Sequence, residues 1–206
     1  MRPYPLSCDD LLDDVGQELD AVTHHVRERY ANLTAEQLLW QPGPQRWGVG
    51  QCLVHLARLN ELYRERLALT LEKARNQDRT SHGPLRGTWF GRWFTSVVGP
   101  DVRKRVQTPS LFRPRTEIVT ATPVHTFLEE QGLLRALVER ARGLDLDGIG
   151  VTSPASRLLR FRVSDAFRIL VEHEKRHVNQ ADAVLTAEGF PGRGNKPPRG
   201  NDPVTT

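Results

Sequence analysis

The fold of this chain is decided by residues 171–180, which read VEHEKRHVNQ. They lie in a run from Arg157 to Glu188 that contains no Gly or Pro, which predicts one long helix. On a helix, His173 and His177 stand about 6 Å apart along the axis and on the same side. That spacing lets both imidazoles reach one metal ion.

The two histidines also belong to the apolar face of this predicted helix. Apolar residues share the face at steps of three or four, namely Ala166, Leu170, Ala181 and Val184. Buried imidazoles need partners, and a metal ion would satisfy them. Neighbouring polar groups in a core would do so too, and HxxxH pairs also arise by chance, so the motif alone leaves both interpretations open.

The chain has 206 residues, a length that suits one generous domain or two very small ones. No signal peptide and no apolar run of membrane-spanning length is visible, so we expect a cytoplasmic protein without a membrane partner. Cys8 and Cys52 are the only cysteines, which excludes a disulfide framework. The net charge is +4 and the only dense basic run is 103–105, which we interpret as a solvated loop. Nucleic acid is therefore not an expected partner.

Helix signals divide the remaining chain. Ser7 is a predicted cap for a first helix that reaches about Tyr30, where His24 and His25 suit the negative end of the helix dipole. Thr34 caps a short turn. A second helix runs from about Trp47 to residue 75, and a third opens at Thr122-Pro123 and ends at Gly143.

Four amphipathic helices with little strand-forming sequence predict an all-α fold, an antiparallel four-helix bundle over residues 1–188. Only Val97-Val98 and Ile118-Val119 look strand-like. Residues 189–206 are rich in Pro, Gly, Arg and Asn, and we expect a flexible tail.

The connector between the second and third helices is long, from residue 76 to 121. Its aromatic residues fall at helical spacing and predict a short helix over about 87–98; they are Trp89, Phe90, Trp93 and Phe94. Aromatic residues beside arginines can stack on nucleic acid bases. We favour a flap over the bundle or a contact between two copies.

A third histidine, His55, lies on the buried side of the second helix between Cys52 and Leu59. Alone it would be an ordinary core histidine. Together with His173 and His177 it becomes a candidate third metal ligand, since three neutral imidazoles suit zinc, nickel or iron and leave positions open for water or substrate.

The order of these motifs resembles the DinB/YfiT-like superfamily of metal-binding four-helix bundles. The shared pattern is Trp47 opening the second helix, His55-Leu56 about two turns later, and His173 to His177 on the last helix, with Gln180 beyond. The segment Phe112-Arg113-Pro114 is similar to a connector of many members. The resemblance extends over roughly residues 7 to 188.

This resemblance implies a divalent metal, zinc or nickel, held by His55, His173 and His177. It further implies an open position for a low-molecular-weight thiol (bacillithiol, mycothiol or glutathione) that is transferred to or from an electrophile. Other members of the family carry a hydrolase label. Arg86 or Arg92 could then meet an anionic thiol beneath the 87–98 segment.

The chain departs from the family pattern at two positions. Members often have Ser or Thr after the Trp and an acidic residue one turn before the His, where this chain has Gly48 and Gln51. Gln51 cannot act as a carboxylate base, and Glu174 lies about 100° around the helix from His173. Cys52 is either a fourth, soft ligand or, as we favour, a small core residue.

Two classes of function remain open from the sequence. The first is a metal-dependent thiol transferase or hydrolase acting on a small-molecule substrate. The second is a non-catalytic, stress-associated metal-binding bundle, a homodimer that works through protein partners and uses the aromatic segment as its interface.

Overall fold

The structure is a computed structural model that describes residues 1–80, 83–100 and 122–192. Most of these residues form helices. In chain order the elements are α1 Cys8–Tyr30, α2 Ala35–Leu39, α3 Val49–Asn76, α4 Trp89–Val98, α5 Pro123–Arg140, β1 Gly150–Thr152, β2 Arg160–Arg162 and α6 Val163–Leu185. The basic run 103–105, the segment 112–114, Ile118-Val119 and most of the predicted tail lie outside the described residues.

Side-chain caps set the helix starts much as the sequence predicts. Ser7 accepts a hydrogen bond from the Asp10 amide, and Thr34 accepts one from the Gln37 amide. Thr122 precedes Pro123 at the start of α5, but its side chain makes no capping bond. Pro123 itself stabilises this start because the first turn of a helix needs no amide donor there.

The four long helices α1, α3, α5 and α6 form the predicted four-helix bundle. Each of α1 and α3 packs against both α5 and α6. The helices α1 and α3 therefore lie diagonally across the bundle from each other, and so do α5 and α6. Ion pairs from Arg142 to Asp13 (2.6 Å) and from Arg135 to Asp20 (3.4 Å) show that α1 and α5 run antiparallel.

The neighbouring helices α3 and α5 run parallel. Arg64 contacts Glu130, and Arg75, further along α3, contacts the carbonyl of Arg140, further along α5. The residue numbers therefore rise in the same direction on both helices. A parallel neighbour requires the chain to return along the whole bundle, about 42 Å for the 28 residues of α3. The long connector is therefore a crossover between the two ends of the bundle. This return explains why the connector is long, whereas the sequence pointed only to a flap or a contact between two copies.

A small hairpin lies between α5 and α6 and corrects the sequence prediction there. β1 and β2 pair antiparallel with Val151 opposite Phe161, so the helix predicted from Arg157 begins instead at Val163. The Phe161 ring stacks on Phe90 of α4 at 5.6 Å, and this packing favours the extended backbone. Val97-Val98, which look strand-like in the sequence, end α4.

Helix α4 confirms the predicted short aromatic helix and packs along α6. Phe90 and Phe94 face inward onto Phe161, whereas Trp89 and Trp93 are 73% and 49% exposed. Within the described residues, no helix is both long enough and apolar enough to cross a membrane.

Candidate metal centre

The structure brings together the three histidines that the sequence singled out. His55 comes from α3, and His173 and His177 come from α6 one turn apart. One ring nitrogen of each lies within 4.8 Å of the other two. The Nε2 atoms of His55 and His173 are 3.0 Å apart, close to the separation of about 3.3 Å expected for two ligands of a tetrahedral zinc ion.

Burial keeps the two α6 imidazoles neutral. Desolvation is the main cause that holds the pKa of His173 well below its usual value, and it lowers the pKa of His177 to about 3. The neighbouring histidines and the positive charge of Arg176 act in the same direction on both rings. Both α6 histidines therefore hold a free lone pair at neutral pH, as metal ligation requires.

Groups from outside the cluster lie beside these two rings. The backbone of Val98 in α4 raises the pKa of His173, against the larger lowering effect of burial. The Gln180 Oε1 atom lies 3.1 Å from His177 Nδ1. An outer partner of this kind holds an imidazole in the orientation that turns Nε2 toward the centre of the cluster. Either ring can be the donor of the 3.0 Å contact between His55 Nε2 and His173 Nε2.

Trp47 packs against the cluster from the turn before α3. Its ring stacks on His177 with centroids 5.4 Å apart, and its centroid lies 4.9 Å from that of His55. The Trp that marks the family pattern therefore holds two histidine rings in place. The sequence showed its position in the motif but not this contact.

Structural contacts explain the first departure from the family pattern and give Gln51 a structural role. A Cβ at Gly48 would lie 2.0 Å from the Trp40 carbonyl oxygen, so a Ser or Thr at this position would clash with the end of α2. Gln51 Oε1 accepts a hydrogen bond from the Gly48 amide at 2.9 Å. Gln51 thus satisfies the amide of the residue that precedes α3, as a Gln or Glu at this position of a capping box does.

Cys52 and Glu174 lie outside the group of possible ligands. Cys52 is fully buried in the apolar core, and burial raises the pKa of its thiol to about 12, which favours the core interpretation over a fourth ligand. Glu174 accepts a 2.6 Å hydrogen bond from Asn60 in the bundle interior. Among the described residues, the group that could hold a metal consists of the three histidines.

The remaining candidates have other contacts. Arg92 donates to the Arg86 carbonyl on the exposed side of α4, and Arg176, which the sequence did not single out, is the cation that acts on the histidines. His25 pairs with Asp182 of α6 at 2.9 Å, beyond the helix-dipole role expected from the sequence. His125 pairs with Glu129 on the surface at 3.3 Å.

Comparisons with known proteins identify the fold and the family of this chain. The chain is similar to the solved structure of YfiT from Bacillus subtilis, described as a probable metal-dependent hydrolase with an unusual four-helix bundle topology. The identity is 16%, the TM-score is 0.57, and the match covers 92% of this chain and 94% of YfiT, which shows a shared fold. A comparison with curated proteins finds no match. The model of the DinB superfamily matches residues 18–181, and the chain therefore belongs to the DinB superfamily.

Proposed function

We propose that this chain is a metal-dependent enzyme for a small-molecule substrate, with a zinc or nickel ion held by His55, His173 and His177. The convergence of three imidazoles from two helices supports the proposal. Neutral imidazole nitrogen is a preferred ligand of both ions, and His177 has an outer contact with Gln180 of the kind that metal ligands have. The residues present therefore fit the ion.

A divalent ion at this position supplies Lewis-acid chemistry toward a thiol or a water molecule. The chain's own residues orient and protect that position. Trp47 restricts the His55 and His177 rings and keeps bulk water from their faces. Arg176 adds positive charge near His173 and His177, which favours an anionic ligand such as a thiolate.

Within this class we favour transfer of a low-molecular-weight thiol (bacillithiol, mycothiol or glutathione). Hydrolysis would have to use metal-bound hydroxide or a residue outside the cluster as its base, because no carboxylate joins the histidines in the described part of the chain and Gln51 serves as a cap. A thiol cofactor brings its own nucleophile. The proposal places the protein in the cytoplasm, where such thiols are kept reduced. The hydrolase description of YfiT supports the alternative.

The first experiment measures metal content by elemental mass spectrometry in the wild type and in a His173→Ala, His177→Ala double variant. We expect near-stoichiometric zinc or nickel in the wild type and none in the double variant. Cys52→Ala is the matched control, because Cys52 is buried on α3 one turn from His55, and it should keep the metal. Absence of metal from the wild type after reconstitution would contradict the proposal.

A second experiment separates the two reactions. Each thiol is titrated into the protein loaded with Co²⁺ or Ni²⁺, and the absorption spectrum is followed. A new thiolate-to-metal absorption band with one thiol supports transfer. Turnover of simple amides or esters without any thiol, and no spectral response, would instead support the hydrolase.

The exposed Trp89 and Trp93 favour one further candidate, a homodimeric metal-binding bundle that acts through protein partners. Light scattering of the wild type and of Trp89→Ala, Trp93→Ala tests it. A dimer that becomes a monomer in the variant supports this interface. A monomer in both forms contradicts it.

A further inference from the structure

A groove lined by Lys73, Arg79 and Arg160 lies where the last turns of α3 meet the β1–β2 hairpin, and we call it the basic groove. Its volume is about 480 Å³, which is the size of a small-molecule site. Lys73 follows His55 by about five turns of α3, or about 27 Å along the helix axis. The basic groove is therefore separate from the histidine cluster.

The walls of the basic groove carry an excess of positive charge. Three cationic side chains line it, and no carboxylate from the described part of the chain does. Arg79 has a partner, because its Nη2 atom lies 3.6 Å from Oδ2 of Asp145, which does not line the groove. Lys73 and Arg160 have neither an ion pair nor a hydrogen bond within residues 1–80, 83–100 and 122–192. Two of the three positive charges are therefore left for a ligand.

Two glycines make room for the two arginines. A Cβ at Gly150 would lie 3.3 Å from Arg160 Nη2, and a Cβ at Gly148 would lie 1.9 Å from Asp145 Oδ2 and 2.8 Å from Arg79 Nη2. Arg79 Nη2 also donates to the Gly148 carbonyl at 3.0 Å. The Cα atoms of residues two apart are separated by at most about 7 Å. Both guanidinium groups thus lie against bare backbone at neighbouring points, where they can contact one ligand.

This arrangement suits a phosphate group. A guanidinium binds phosphate through paired hydrogen bonds, and a Lys ammonium adds a compact positive charge. Lys73 alone has a simpler explanation, since it lies in the last turn of α3, where a cation suits the negative end of the helix dipole. That explanation does not extend to Arg160, which comes from β2. A shared anionic ligand accounts for both residues.

Apolar side chains also line the basic groove. Ile149 is buried, with 8% of its surface exposed, whereas Leu69 is 67% exposed. A free phosphate ion would leave both side chains uncovered. A phosphorylated molecule with a carbon ring or chain would remove part of this apolar surface from water, which is favourable.

We propose that the basic groove binds the phosphate group of a small phosphorylated molecule. Lys73, Arg79 and Arg160 contact the phosphate, and Leu69 and Ile149 contact the carbon part. The ligand is separate from the substrate of the metal centre, and its binding does not depend on a metal ion.

The test is a titration with phenyl phosphate followed by ¹H–¹⁵N NMR, in about 0.15 M salt so that long-range attraction is screened. We expect saturable shifts of the Gly148 and Gly150 amides in the wild type. Lys73→Gln and Arg160→Gln should each weaken binding about 10-fold, because each removes a charge-assisted contact. Arg157→Gln is the matched control, since Arg157 is exposed in the same hairpin but does not line the groove. It should bind like the wild type.

Three results would overturn the proposal. They are the absence of saturable shifts in the wild type, an equal loss of affinity in Arg157→Gln, and unchanged affinity in both Lys73→Gln and Arg160→Gln. The substituted side chains are exposed, so all three variants should fold, and circular dichroism checks this.

Two comparisons identify the ligand and the site. Inorganic phosphate should bind more weakly than phenyl phosphate, and equal affinity would overturn the contact of Leu69 and Ile149 with a carbon part. The His173→Ala, His177→Ala double variant should bind phenyl phosphate like the wild type, whereas loss of binding there would place the ligand at the histidines and overturn the proposal. A wild type that binds phenyl phosphate but no metal contradicts the proposed function alone.

Discussion

His173 and Glu174 are adjacent residues of α6, and each belongs to a different group of polar side chains inside the bundle. His173 belongs to the histidine cluster with His55 and His177. Glu174 belongs to a second group with Asn60 of α3 and Gln131 of α5, which we call the carboxylate cluster. All three of its members are at most 1% exposed.

The two clusters satisfy their polar atoms differently. In the histidine cluster the inner nitrogens of His55 and His173 face one another, while Gln180 contacts the outer nitrogen of His177. In the carboxylate cluster, Glu174 Oε1 accepts from Asn60, but Glu174 Oε2 has no hydrogen-bond partner within the described residues. The first arrangement suits a ligand at a common point, and the second suits a carboxyl group that is partly protonated.

The clusters therefore respond to pH in opposite directions. Burial raises the pKa of Glu174 from 4.5 to about 7, so its contribution to the free energy of unfolding is complete below pH 4.5 and is lost as pH rises through 7. The pKa of His177 falls from 6.5 to about 3, so its contribution is complete above pH 6.5 and is lost as pH falls toward 3. Buried groups of opposite charge type thus limit stability from both sides.

The largest expected effect concerns His55, the ligand that α3 supplies to the histidine cluster. His55→Ala should abolish metal binding at micromolar metal, because two histidines one turn apart leave the ion without a ligand from the opposite helix. Isothermal titration calorimetry measures it. Asn60→Leu changes the other cluster on the same helix and should leave the affinity within a few-fold; equal losses in both variants would contradict a separation of the clusters.

Glu174→Gln should remove the fall in the free energy of unfolding that the metal-free protein shows as pH rises from 4.5 through 7. A pKa raised from 4.5 to about 7 corresponds to a loss of about 3 kcal/mol between pH 4.5 and pH 7.5. The neutral amide avoids this loss, so stability should change less over that range. Urea unfolding at a series of pH values tests it, with the exposed Glu188→Gln as control. Identical slopes for wild type and Glu174→Gln would show that Glu174 does not cause the response.

Asn60→Leu should destabilise the protein by about 2 kcal/mol at pH 7.5, since a buried charged acceptor loses its 2.6 Å donor. The loss should shrink at pH 5, where Glu174 is protonated. Combining Asn60→Leu with Glu174→Gln completes a double-mutant cycle that isolates the coupling between the two. A loss that is the same at both pH values would indicate a packing effect instead.

The smallest effect concerns the outer contact of His177. Gln180→Ala removes the oxygen that lies 3.1 Å from His177 Nδ1, and metal affinity should fall about 10-fold, which is about 1.4 kcal/mol. The neighbouring exposed Asn179→Ala should have no effect. Competition with a chelator measures both variants, and equal affinities would mean that Gln180 does not orient the ring.

Several features of the site were predictable because they depend on local sequence. The steps of three and four that place His173 and His177 with Leu170 and Ala181 require only helical periodicity. The same periodicity separates Glu174 from them, although it could not reveal Asn60 as its hydrogen-bond donor or Gln131 as a buried neighbour. Those two polar residues lie on helices that come near Glu174 only in the folded bundle.

The hairpin shows a different limit. Arg157 to Arg162 contains no helix breaker, and nothing in its local sequence distinguishes it from the helix that follows. Its extended conformation depends on pairing with β1 and on the stacking of Phe161 against Phe90, two contacts with distant residues. Tertiary packing outweighed helix propensity there, since propensity differences are only tenths of a kcal/mol per residue.

The sequence by itself determined the four amphipathic helices, the caps at Ser7 and Thr34, and the choice of His55, His173 and His177, because these follow from residue spacing within helices and from the order of motifs along the chain. Only the tertiary structure decided that α3 runs parallel to α5, that α4 lies along α6, and that Trp47 and Arg176 lie beside the histidines. Periodicity states which face of a helix is buried. The identity of the helix that covers this face depends on how all of the helices pack together.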